Sequence, residues 1–190
     1  MRVGDHVYFA PKILLRDLDL SNKDFLIDAF EKRMNSYFLE AIKLLNEQEN
    51  AYGAAIIEFS MIDALAKYSI KKKNKKGEEN RIVKILQKDF AINKELADKA
   101  YDEFRNGLLH ENHIKEKGQL CYATSKAFEL EEKGCLIVNP KELEDELKTF
   151  FQSYIENLKT DEKTYSLFLR HIKNDFEQEV LHFQSNEMVL

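Results

Sequence analysis

The chain has 190 residues, 44% of them hydrophobic and 33% charged, with a formal net charge of −5. That balance excludes a disordered chain, and no stretch approaches the roughly 20 apolar residues of a membrane span. Only 6 Gly and 2 Pro are present, too few for the turns of an all-β sandwich or barrel.

Charge is unevenly placed. From Asn139 to the C-terminus there are 6 Lys/Arg and 11 Asp/Glu, which carry the whole −5. Residues 1–138 are neutral overall, so the chain is not a basic nucleic-acid binder in bulk. The two cysteines, Cys121 and Cys135, are too few for a disulfide framework or a Cys-rich zinc site. No apolar run follows Met1-Arg2-Val3-Gly4-Asp5-His6, so no secretory signal is expected. The expectation is a cytoplasmic protein with reduced thiols.

Val7-Tyr8-Phe9 reads as a short strand, and Pro11 interrupts any helix there. Ser21 with Asp24 three positions later predicts a helix start. Leu26, Phe30, Met34, Phe38, Ile42 and Leu45 then keep helical spacing to about Gln48. From Ala51 to about Ile70 the apolar residues point nearly all around, which predicts a central, buried helix. Within it lie Glu58, Ser60 and Asp63. A carboxylate there must be paired, hydrogen-bonded or facing a cleft. Glu58 is thus either one half of an ion pair with a neighbouring helix or part of a binding site.

Lys71, Lys72, Lys73, Lys75 and Lys76 put five positive charges in six residues. They form either a solvated loop tip or a local patch that attracts phosphate. A short helix follows over 78–90, and Asn93 caps another that runs to about His110. Leu120-Cys121-Tyr122-Ala123-Thr124 reads as a strand. Phe128-Glu129-Leu130 and Cys135-Leu136-Ile137-Val138 read as a β-hairpin. Asn139-Pro140-Lys141-Glu142 is a helix start, with Asn as cap and Pro at the first position. A last helix follows Thr160-Asp161. The predicted class is mainly α: an antiparallel helical bundle with a small β-hairpin before the C-terminal helices, in a single domain.

The P-loop, the dinucleotide-binding glycine pattern, H-E-x-x-H and G-x-S-x-G are all missing. What stands out is Arg105-Asn106-Gly107-Leu108-Leu109-His110, late in its helix, followed by Glu111, Asn112 and His113. Five residues along an ideal α-helix turn about 140°, so Arg105 and His110 would not share a face. They converge only if the last turn distorts. Otherwise each faces a partner chain. The structural alternatives are an Arg105 pair with Asp102 or Glu58 and a His110 that complements the helix dipole. Glu111 and His113 beside His110 are a sparse set for a metal.

Arg105-Asn106-x-x-x-His110 resembles the hallmark of the HEPN family (higher eukaryotes and prokaryotes nucleotide-binding). That hallmark is an Arg, usually followed by a polar residue, and a His late in a helix of an α-helical bundle, in the pattern R-x4–6-H. The resemblance covers roughly residues 24–112. It implies a metal-independent endoribonuclease, toxin-like or defence-related by family association, that acts as a homodimer with one composite site. Arg105 would hold the scissile phosphate, His110 would be general base or acid, and Asn106 would orient the His or a phosphate oxygen. It implies no metal or other cofactor, with RNA as substrate and an antitoxin or regulatory protein as a further partner. The lack of a long apolar stretch leaves no membrane partner to expect. The other reading is a non-catalytic module that binds RNA, nucleotide or protein.

Overall fold

A computed structural model of the chain describes residues 2–3, 6–71, 81–115 and 117–186. The class is mainly α, as the helical periodicity implies. The chain forms two compact units, one of residues 1–37 with 153–190 and one of residues 38–152. The sequence shows no linker at either boundary because both fall inside helical segments.

The first unit begins with three short antiparallel strands, β1 (Arg2–Val3), β2 (His6–Ala10) and β3 (Ile13–Leu14), in the order β1-β2-β3. Pro11 and Lys12 turn the chain from β2 into β3, with Lys12 at a φ of 63°. A 3-10 turn, Leu15–Asp17, leads on to α1 (Lys23–Met34). The cap of α1 is Asn22, whose Oδ1 accepts from the Phe25 N–H at 3.1 Å. Ser21, expected at that position, instead donates its N–H and hydroxyl to Asp19. The C-terminal α7 (Glu162–Asn186) follows Asp161, whose carboxylate takes the Thr164 N–H at 3.0 Å.

The apolar stripe of α1 buries Leu26, Ile27, Phe30 and Met34. Phe30 meets Phe168 edge-on at 4.9 Å, with Tyr154 at 6.4 Å. Burying a side chain such as Phe30 contributes about 2–3 kcal/mol against leaving it in water. Arg33 lies against the rings of Phe9, Tyr37 and Phe176 at 5.2–5.6 Å and donates to the Phe9 carbonyl.

A π-helical turn, Asn35–Leu39, within which the first unit's opening segment ends at Tyr37, carries the chain from α1 into α2 (Glu40–Glu47) of the second unit. Glu49, at a φ of 54°, helps reverse it. Asn50 then caps α3 (Ala51–Ser69) through the Gly53 N–H at 3.0 Å. The helix α3 buries Ala54, Ala55, Phe59, Met61, Ile62, Leu65 and Ala66, which fits its apolar circumference. Farther along the chain come α4 (Arg81–Asp89) and α5 (Lys94–Lys99), the latter capped by Asn93 as expected. From Ala100 to Glu111 the helix continues in π rather than α form.

A second sheet has the order β4-β6-β5, from Gly118–Leu120, Leu136–Val138 and Phe128–Leu130. The expected hairpin is β5 and β6, antiparallel, turned at Gly134 with a φ of 76°. The strand expected over 120–124 instead ends at Leu120. It pairs with β6 in parallel, Leu120 opposite Val138, and Cys121 N–H to the Val138 carbonyl is the last rung. No partner remains beyond it, because α6 (Pro140–Thr160) starts at once. This register puts Cys135 and Cys121 at opposite ends of the pairing, about 13 Å apart at the strand rise, so they do not form a disulfide.

Asn139 ties sheet to helix. Its Oδ1 accepts from Lys141 N–H at 3.0 Å and its Nδ2 donates to the Thr124 carbonyl at 2.6 Å. It is 2% exposed, so both groups need these partners. Asn139→Ala should cost about 1–2 kcal/mol, read as a fall in the urea midpoint at unchanged m-value.

Candidate functional site

The π form of Ala100–Glu111 decides the geometry of the site. A π-helix bonds i to i+5, so residues five apart stack along one face. The distorted turn is therefore the arrangement observed, and Arg105 and His110 meet within one chain. Nη1 of Arg105 stands 2.6 Å from Nε2 of His110. A guanidinium can only donate, so Nε2 is the acceptor and the imidazole hydrogen sits on Nδ1.

The same Nη1 donates to Asn106 Oδ1 at 3.1 Å. Nη2 donates to Asp63 Oδ2 at 2.6 Å, across from α3. Asp63 is therefore the carboxylate that pairs with Arg105, in place of the Asp102 or Glu58 expected from the sequence. The Tyr101 ring lies 5.6 Å from the guanidinium carbon. Arg105 is mostly covered, its side chain 19% exposed, and Nε is buried without a hydrogen-bond partner. Three of its five donors are engaged. Asp63 is more open at 37%, and His110 is exposed.

Several interactions hold the end of the π segment in place. A Cβ on Gly107 would meet the His113 carbonyl oxygen at 2.5 Å, so only glycine allows the chain to fold back there. His113 N–H donates to the Gly107 carbonyl at 3.2 Å and Lys115 N–H to the Glu103 carbonyl at 3.2 Å. Asn112 ends the helix at a φ of 57°, and its carbonyl accepts from the Tyr52 hydroxyl at 2.5 Å. Lys115 bridges Asp102 at 2.9 Å and Glu111 at 3.2 Å. The Lys115 hydrogen bond holds the Asp102 carboxyl below its ordinary range. Phe104, one residue before Arg105, stacks on Phe59 of α3 at 5.6 Å.

Glu58 belongs to a different cluster. It is fully buried, and neither carboxyl oxygen has a hydrogen-bond partner, so the ion pair expected from the sequence is not formed. Asn46 is close by, but its Nδ2 donates to Glu144 Oε2 at 2.8 Å and its Oδ1 accepts from the Tyr122 hydroxyl at 3.0 Å. Glu144 in turn pairs with Lys148 at 2.6 Å. Burial first, and the nearby Glu144 charge to a lesser extent, hold the Glu58 carboxyl well above the ordinary carboxylate range. The proximity of Asn46 only partly offsets this.

Of the lysine cluster, Lys71 is exposed, and Lys72, Lys73, Lys75 and Lys76 lie outside the described residues. Glu111 and His113 approach to 3.7 Å. Among the described residues no group of three or more His, Cys, Asp or Glu is placed to hold a metal ion. No helix among them is long and apolar enough to cross a membrane.

Glu58 makes stability depend on pH with a defined sign. The folded state favours the protonated carboxyl, whereas the unfolded chain ionises at the ordinary value. Its contribution is whole below that value and is lost as pH rises toward the raised one. The stability of the wild type relative to Glu58→Gln should therefore fall with rising pH, by up to about 1.4 kcal/mol per pH unit. Urea midpoints from pH 5 upward measure it. Asp89, Glu103 and Glu146, which burial also raises, leave a residual slope common to both proteins.

Compared with protein-family models, curated proteins and solved structures, the chain matches none.

Proposed function

We propose that the chain is a HEPN-like, metal-independent endoribonuclease of the cytoplasm, toxin- or defence-related by its family resemblance. The single observation that carries this reading is the 2.6 Å approach of Arg105 to His110 on one face of the π segment. A permanent cation and a proton-transfer group side by side are what cleavage by the RNA's own 2′-OH requires.

In this reading Arg105 clamps the scissile phosphate and offsets the charge that grows on its oxygens. His110 moves a proton to or from the oxygen that attacks or the one that leaves. Asn106, already on Nη1 of Arg105, holds the guanidinium or takes a phosphate oxygen. The O2′–P bond forms as the P–O5′ bond breaks, giving a 2′,3′-cyclic phosphate and a 5′-OH. Pairing of two chains and control by an antitoxin or other protein belong to the same reading. The Lys71–Lys76 segment would draw RNA toward Arg105 and His110.

His110→Ala should lower cleavage by about 10²–10⁴-fold at nearly unchanged RNA affinity. Arg105→Ala should lose cleavage and much of the binding. EDTA should leave the wild type active, and end-group analysis should find the cyclic phosphate. Cleavage that requires added metal, or that survives His110→Ala undiminished, refutes the mechanism. A second reading, a non-catalytic RNA- or nucleotide-binding module, draws on the coverage of Arg105 and its engagement by Asp63. RNA binding with no cleavage across a broad panel would favour it.

For the lysine segment, reversing the charge of Lys72, Lys73 and Lys75 should weaken RNA binding. The log–log salt slope should flatten by about 0.7 for every phosphate that the variant no longer neutralises. Unchanged affinity and slope would make the segment a solvated loop.

A further inference from the structure

Cleavage by an internal 2′-OH moves two protons, one off the nucleophile and one onto the leaving oxygen. A single imidazole serves both only by changing position during the step. The expectation of a composite site between two chains supplies a second group from the partner. The structure offers one closer at hand. Asp63 Oδ2 and His110 Nε2 each lie 2.6 Å from the guanidinium of Arg105, on its two different amino groups. A phosphate bound at that guanidinium therefore has a carboxylate on one side and an imidazole on the other.

We propose that Asp63 is the general base of the ribonuclease reaction and His110 the general acid, so that one chain holds the whole proton-transfer pair. This rests on the nuclease reading above. The exposures fit the assignment. The guanidinium is mostly covered and fixed, while both flanking groups reach solvent, Asp63 at 37% of its side chain. Asn106 accepts from Nη1, and Asp63 takes one of the two Nη2 hydrogens, which leaves the other for a phosphate oxygen. A second phosphate oxygen takes the place of His110 on Nη1. The displaced imidazole, its Nε2 lone pair freed, takes a proton beside the bound anion.

The step then balances. The Asp63 carboxylate accepts the 2′-OH proton, O2′ bonds to phosphorus, the P–O5′ bond breaks, and protonated His110 gives its proton to O5′. Asp63 ends as the acid and His110 as the neutral base. Solvent exchange restores both. Arg105 keeps its charge throughout.

The test uses the full chain and two substrates, a ribodinucleotide and the 4-nitrophenyl ester of a ribonucleoside 3′-phosphate. The nitrophenolate leaves without a proton, so only the dinucleotide needs a general acid. Affinity is read with the 2′-deoxy dinucleotide, which cannot react. In Asp63→Asn the side-chain oxygen still accepts from Nη2, so the guanidinium stays placed while the base is lost. Asp63→Asn should slow both substrates by about 10²–10⁴-fold, with deoxy-analogue affinity within about twofold. His110→Ala should slow the dinucleotide by a similar factor and leave the nitrophenyl ester within about tenfold of wild type. Asp63→Glu, which keeps a carboxylate, should retain more activity than Asp63→Asn and guards against a folding defect.

Dinucleotide cleavage by Asp63→Asn within about tenfold of wild type overturns the assignment. So does a loss of affinity that matches the loss of rate, since Asp63 would then act only by positioning Arg105. Recovery of Asp63→Asn on the nitrophenyl ester also overturns it, because it would put Asp63 on the leaving-group side. A wild type that binds the analogue and cleaves neither substrate removes the nuclease reading itself, and this inference falls with it.

Discussion

Everything at the candidate site depends on how many residues make one turn of the helix that carries it. In α form, Arg105 and His110 would diverge and the motif would be two unrelated side chains. In π form they stack, and one guanidinium can reach an imidazole, an amide and a carboxylate together. The π form is itself held from outside. Phe104 stacks on Phe59, Asp63 holds Arg105, and the chain beyond Asn112 folds back against Gly107. Helix α3 thus provides both the hydrophobic support of the site and the carboxylate that pairs with Arg105.

The helices are largely legible because their signals are local. The cap and proline at Asn139-Pro140, the Asn93 cap and the continuous apolar circumference of α3 each act within one or two turns. One error lies in a competing local bond and the other where a distant partner decides. Ser21 and Asn22 both suit a helix cap, and the bond between Ser21 and Asp19 leaves the role to Asn22. Residues 121–124 have the composition of a strand, but the neighbouring strand has already turned into a helix.

The site is legible in its members and not in its form. Arg105, Asn106 and His110 are identifiable as a polar crowd at a helix end. Their spacing points to opposite faces, since Phe104 and Leu108 keep the four-residue period of an ordinary helix. Nothing in composition marks a π segment. Asp63 is visible only as one of two carboxylates on a buried helix. Which of the two meets Arg105 depends on how α3 and the π segment pack, and the structure gives Asp63 the cation and leaves Glu58 without one.

That unpartnered Glu58 has a thermodynamic consequence. A carboxyl kept neutral in the core is a stored proton, and unfolding at a pH between the ordinary carboxylate value and the raised one hands it to the buffer. The heat absorbed on unfolding therefore includes the buffer's own heat of protonation. Calorimetric enthalpies in two buffers of different protonation heat would differ at such a pH. The difference counts the protons that the native chain holds back from water.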